Sequence, residues 1–163
     1  MNKKYEFTDE TITIDKHILH RLMAVRSFGD VKAGDLGGFV AGENNLDHIG
    51  NCWISNNAQV YGNARITDGA RISQTARVYE FAYIFGDARV YGDTRVYGDT
   101  RVGGRAQISG DACIDIRTFN RFCGKSWVGG YTDIASGIWN RRLTIDNKKY
   151  LISTTLRRIS LMG

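Results

Sequence analysis

From Ile54 a branched aliphatic residue recurs every six positions: Ile54, Val60, Ile66, Ile72, Val78, Ile84, Val90, Val96, Val102, Ile108 and Ile114. Two places before each stands a small residue: Cys52, Ala58, Ala64, Ala70, Ala76, Ala82, Ala88, Thr94, Thr100, Ala106 and Ala112. A period of six fits neither a helix nor a free strand, so it predicts a coil made by repetition. In each hexad the aliphatic side chain fills the interior and the small one sits where the chain turns. Three hexads close a triangular coil of 18 residues, and coils stack at roughly 4.8 Å, the strand spacing. One coil cannot bury its own inner face, so several must stack and both ends need caps.

The corners carry their own signal. Gly62, Gly86, Gly92, Gly98, Gly104 and Gly110 fall at one position of the hexad. Glycine takes backbone angles that are unfavourable for other residues, and Asn or Asp beside it tolerates similar ones.

Outside the repeat the pattern changes. Thr11, Ile12, Thr13, Ile14 and Asp15 alternate as a strand does, and residues 18–25 read as a second strand in preference to a short helix. A turn at Asp15, Lys16 and His17 makes this an N-terminal hairpin. Leu143 to Asp146 and Tyr150 to Ile152 repeat the plan, with a turn at 146–149. Val25 and Val31, six apart, are expected to open a first irregular coil, and 42–50 reads as a loop. After Ile114, Phe119, Phe122, Trp127 and Val128 are apolar without a period and are expected to cap the coils. The expectation is one all-β domain: a cap and irregular coil over 1–50, regular coils over 51–116, and a C-terminal cap with a hairpin over 117–163.

Composition narrows the picture. The 163 residues suffice for one elongated core. There is no 18-residue apolar run and no export-signal pattern at the N-terminus, which predicts a cytoplasmic protein without a membrane span. Three cysteines suit a reducing compartment. Cys52 belongs to the inward row as packing, Cys113 falls outward, and Cys123 has no assigned place. Proline is absent, in keeping with a hydrogen-bonded chain. A net charge of +5 permits an anionic partner.

The [Ile/Val]-x-x-x-[Ala/Thr]-x alternation over 54–114 resembles that of the hexapeptide-repeat, left-handed β-helix proteins. The resemblance implies a left-handed triangular parallel β-helix and a homotrimer. The glycine here lies one place later than is usual in that family, which is read as a variant of the turn. A narrower similarity covers about residues 5–115. It rests on Val31-Lys32-Ala33-Gly34-Asp35-Leu36-Gly37-Gly38-Phe39-Val40, on Cys52-Trp53-Ile54, and on the Ala-Arg-Val-Tyr-Gly repeats. It resembles a group of phage- and prophage-encoded repeat proteins and implies an accessory role inside the host cell.

Residues 18 apart share a side of the coil. One side carries Gln59, Arg77 and Arg95 beside Tyr61, Tyr79 and Tyr97, an aromatic and cationic stripe. It fits a subunit interface, or a site that stacks bases and pairs phosphates. A second side carries Arg65, Tyr83 and Arg101 with Thr67 and Phe85; the third carries Arg71, Arg89 and Gln107 with Ser73, Tyr91 and Ser109. Asp87 with Arg105, and Asp99 with Arg117, are spaced to pair across coils.

Hexapeptide-repeat acyltransferases use a histidine as general base, and this chain has His17, His20 and His48. His17 and His20 fall in the hairpin and read as structural. Their spacing could touch a metal only on a helix, and no Cys or carboxylate set completes a site. His48, with Asp47 beside it and Glu43 near, is the weak catalytic candidate. The coil hexads hold no long insertion to close over a substrate. The expected function is therefore a non-catalytic binding protein that needs no cofactor or metal. Its partner would be a host macromolecule or a small anionic, nucleotide-like ligand, with counter-defence as one role. An acyl-CoA-dependent acyltransferase and a virion or fibre component are the alternatives.

Overall fold

A computed structural model describes residues 3–115, and beyond them the backbone of strands at 127–129, 132–135, 141–145, 148–152 and 159–161. Among the described residues there is no α-helix; a single 3-10 turn spans Glu43–Asn45. Three long strands come first: β1 (Tyr5–Ile14), β2 (His17–Ala24) and β3 (Leu36–Val40). Short rungs follow: β4 (Trp53–Ile54), β5 (Gln59–Val60), β6 (Arg65–Ile66), β7 (Arg71–Ile72), β8 (Arg77–Val78) and β9 (Tyr83–Ile84). The series continues with β10 (Arg89–Val90), β11 (Arg95–Tyr97), β12 (Arg101–Gly104), β13 (Gln107–Ser109) and β14 (Cys113–Asp115).

Every third rung is a neighbour in space. The first wall runs β3-β5-β8-β11-β14, the second β6-β9-β12 and the third β4-β7-β10-β13, all parallel. Val60 pairs with Val78 and Val78 with Val96, so the coil takes 18 residues, as the spacing predicts. The chain is a β-solenoid of about four turns.

The core is the inside of the coil. All eleven aliphatic residues from Ile54 to Ile114 are fully enclosed, and so are the small residues two places before them. Thr94 and Thr100 occupy alanine positions without leaving a hydroxyl unsatisfied, because each donates to the carbonyl three residues back, Tyr91 O at 2.7 Å and Tyr97 O at 2.5 Å.

The corner position takes positive φ at every turn: Asn56, Gly62, Asp68, Gln74, Glu80, Gly86, Gly92, Gly98, Gly104 and Gly110. Two of the non-glycine corners bond to the coil above. Asn56 Oδ1 accepts from the Gln74 amide at 3.3 Å, and Asp68 Oδ2 from the Gly86 amide at 3.0 Å.

The first coil differs from the sequence reading. Val25 is 41% exposed and opens no coil, and Val31 is buried but bridges antiparallel to Phe28 instead of forming a rung. The first inward aliphatics are Val40, which pairs with Val60, and Leu46, which bridges to Ile66. Both are fully buried. Stretch 42–50 is thus the second side of the first coil, not a free loop. It escapes the period because Leu46 and Ile54 are eight apart (54 − 46), two more than a hexad. Asn45 closes the gap: its side-chain amide donates to Gly62 O at 3.1 Å and Ala64 O at 2.8 Å.

Strands β1 and β2 form the expected antiparallel hairpin. Asp15 and Lys16, at φ 49° and 69°, make a two-residue turn whose twist suits a hairpin, and His17 already belongs to β2. The hairpin extends the first wall, giving the order β1-β2-β3-β5-β8-β11-β14. At the other end β15 (Trp127–Gly129) pairs antiparallel with β13, and β16 (Thr132–Ala135) with β12. The expected C-terminal hairpin is β17 (Arg141–Ile145) with β18 (Lys148–Ile152), joined by a third strand, β19 (Ile159–Leu161). Phe119, Phe122, Cys123, Arg117 and the turn at 146–147 lie outside the described residues.

Candidate functional site

On the first wall Gln59, Arg77 and Arg95 stand in register on successive rungs. Beside them Tyr61 and Tyr79 stack at 5.1 Å and 5°, and Tyr79 and Tyr97 at 5.0 Å and 3°. The stripe is therefore a continuous aromatic ladder, but its first rung is not free. Tyr61 is 3% exposed and packs with Leu19 and Phe39 under the hairpin. Its hydroxyl donates to Asp15 Oδ2 at 2.8 Å. Burial, then the Asp15 carboxylate, raises the Tyr61 hydroxyl pKa, and burial does the same for Tyr79. The hairpin thus uses one end of the stripe as a docking surface.

The third wall carries a feature that sequence reading missed. Its outward residues are Trp53, Arg71, Arg89 and Gln107, with Ser55, Ser73, Tyr91 and Ser109 beside them. Phe28 packs its ring edge-on against Trp53 at 5.4 Å and 72°. That contact brings Asp30 to the Arg71 guanidinium, with which it pairs. The result is a groove of about 680 Å³ between the wall and this segment, lined in part by Asp30, Leu36, Ser55, Arg71, Arg89 and Tyr91. A second trough of about 480 Å³ adjoins it, lined by Asn51, Gly69, Arg71, Asp87, Arg89, Arg105 and Gln107. Arg71, Arg89 and Gln107 line both.

Charge is unevenly spread along these troughs. Arg71 is held by Asp30, whereas Arg89 and Arg105 form no ion pair with a carboxylate among the described residues. The expected pair of Asp87 with Arg105 is not formed. Asp87 instead leans on the coil below, where a Cβ on Gly69 would lie 2.5 Å from its Oδ1. Asp99 with Arg117 falls outside the described residues.

The histidines are separated. His48 stacks on Tyr5 at 4.2 Å and 19°, and its Nδ1 accepts from the Lys4 amide at 3.3 Å. The neutral ring therefore carries its proton on Nε2, which is buried without a partner. Burial lowers its pKa. It lines a small cavity of about 140 Å³ with Glu43, Asp47 and Arg65, so the neighbours expected from sequence are indeed close. Its one basic nitrogen is already occupied. His17 sits against the Tyr61 ring and His20 against Phe7. Both lie on a strand, where a spacing of three puts them on opposite faces. Among the described residues no three groups of the kind that bind metal come together. Nor is any helix among them long and apolar enough to cross a membrane.

Parallel three-sided stacking and a repeated inward Ile/Val row define a β-solenoid repeat protein. In keeping with this, residues 58–74, 82–98 and 88–104 are similar to the YdcK beta solenoid repeat, all within the regular coils. No curated protein matches the chain.

Proposed function

We propose that this chain is a non-catalytic binding protein, a rigid homotrimeric scaffold that presents arginine rows to an anionic partner. Its setting would be a phage or prophage acting in the host cytoplasm, where it engages a host macromolecule or sequesters a small ligand. Counter-defence is one role such a protein would serve.

One observation carries this reading. Arg77 pairs in register with Arg95, and Arg71 with Arg89. Like charges opposite one another in a sheet are unfavourable by a few tenths of a kcal/mol to about 1 kcal/mol each. Of these four arginines, Arg71 alone is offset by an ion pair among the described residues. A bound anion supplies the missing countercharge. The half-buried His48, with Nδ1 accepting from a backbone amide, supports a binding role over acyl transfer.

The test is capture from host lysate together with a nucleotide and acyl-CoA binding screen, using wild type and an Arg77→Ala/Arg89→Ala/Arg95→Ala variant. The reading expects a partner retained by wild type and lost by the variant. Equal capture by both, or acyl-CoA turnover that disappears in His48→Ala, overturns it. Light scattering on the same samples is expected to give three copies.

A further inference from the structure

The two troughs on the third wall differ in charge, and the difference selects a ligand. In the larger one, Asp30 pairs with Arg71 and Asp35 adds a second carboxylate. In the smaller one, Arg105 and the shared Arg89, neither in an ion pair among the described residues, face one carboxylate, Asp87. We propose that this double groove is the ligand site, and that it takes a nucleoside monophosphate, its phosphate in the smaller trough and its base in the larger. The assignment rests on the binding reading above and moves the site away from the tyrosine stripe.

The phosphate end follows from the donors. Arg89 and Arg105 are exposed guanidinium groups with no ion pair among the described residues, and Asn51 and Gln107 flank them with neutral amides. Guanidinium pairs meet phosphate oxygens with short, charge-assisted hydrogen bonds. Arg71 and Arg89 stand on adjacent rungs, about 4.8 Å apart, close enough to serve one phosphoryl group.

The base end follows from the opposite wall. Leu36 is 54% exposed there, and the half-buried Tyr91, across the groove on the third wall, adds aromatic surface for a flat ring. Ser55 and Ser73, and the carboxylates of Asp30 and Asp35, also line this trough and are partners for the edge of a base. Those carboxylates also argue for a single phosphate. A nucleic-acid strand would carry its next phosphates past Asp30 and Asp35, where they are repelled. Each trough falls within the usual size of a small-molecule site, roughly 300–1,000 Å³.

Titration calorimetry on the full chain tests the assignment, with each of the four common ribonucleoside monophosphates, inorganic phosphate, adenosine and a short single-stranded oligonucleotide as probes. At least one monophosphate is expected to bind roughly tenfold or more tightly than phosphate or adenosine. Arg89→Ala and Arg105→Ala should each weaken it by about tenfold, and Tyr91→Ala should reduce discrimination among bases. Arg101→Ala, an exposed arginine on the second wall, should leave binding unchanged. Circular dichroism melts establish that each variant is folded. No binding to folded wild type, phosphate binding as tightly as every monophosphate, tighter binding of the oligonucleotide, or equal loss in Arg101→Ala would each overturn the proposal. In any of those cases a partner captured from lysate leaves the broader binding reading standing.

Discussion

Lys4 Nζ lies 3.1 Å from Cys52 Sγ, and both side chains are fully enclosed. The ammonium group also donates to Cys52 O at 2.9 Å and Gly50 O at 3.4 Å, and sits 5.1 Å from the Phe28 ring centroid. A lysine from the start of the chain thus seals the open end of the first coil. Desolvation lowers its pKa and raises that of Cys52. Lys4→Ala removes buried methylenes and leaves those acceptors without a donor. It is expected to destabilise the protein by about 2–4 kcal/mol, read from urea unfolding followed by circular dichroism.

The corner position gives a prediction of opposite sign. Gln74 is exposed and holds φ at 60°, a conformation that disfavours a Cβ by about 1–2 kcal/mol, while glycine loses about 0.5–1 kcal/mol in chain entropy. Gln74→Gly should therefore stabilise by roughly 0.5–1 kcal/mol. Gly92→Ala should do the reverse by about 1–2 kcal/mol, since a Cβ there would lie 2.7 Å from Gly110 O. Thermal melts of the two variants should move in opposite directions.

His48 sets a pH dependence. Burial lowers its folded pKa below the ordinary 6.5, so near and below that value the unfolded chain binds the extra proton more readily. Its contribution to stability is present above 6.5 and is lost as pH falls through the folded pKa. Between pH 7 and 5 wild type should lose stability more steeply than His48→Gln, as measured by denaturant midpoints across that range. Parallel curves would remove His48 as the cause.

The hairpin is pinned to the first wall by the Tyr61 hydroxyl on Asp15. A double-mutant cycle with Tyr61→Phe and Asp15→Ala should show a coupling of about 1 kcal/mol. Tyr61→Phe alone should also soften the fall in stability above pH 10, because its raised pKa keeps the folded form protonated where the unfolded form ionises.

How much of this was legible depends on distance along the chain. The inward Ile/Val row, the coil length and the corner glycines repeat locally, and so could be read directly. Leu46 was hidden by two extra residues before Ile54, although Gly50, at φ 73°, still marks a turn. The contacts that shape the sites join residues far apart: Asp15 to Tyr61, Asp30 to Arg71, Lys4 to Cys52. No periodicity encodes such pairs. Arg71, Arg89 and Tyr91 could be assigned to one side of the coil from spacing alone. That Phe28 folds against Trp53 and turns this side into a groove could not.

Because Arg71 meets Arg89 only after one full circuit, the body has a natural unit of growth. Duplicating or losing 18 residues would lengthen or shorten it while leaving every outward row facing its original direction. An indel of a single hexad would preserve the hydrophobic filling yet rotate all later rows onto the neighbouring wall. Descendants of this sequence can thus change height freely, whereas a change of one-third circuit would keep the molecule folded and scatter its arginines.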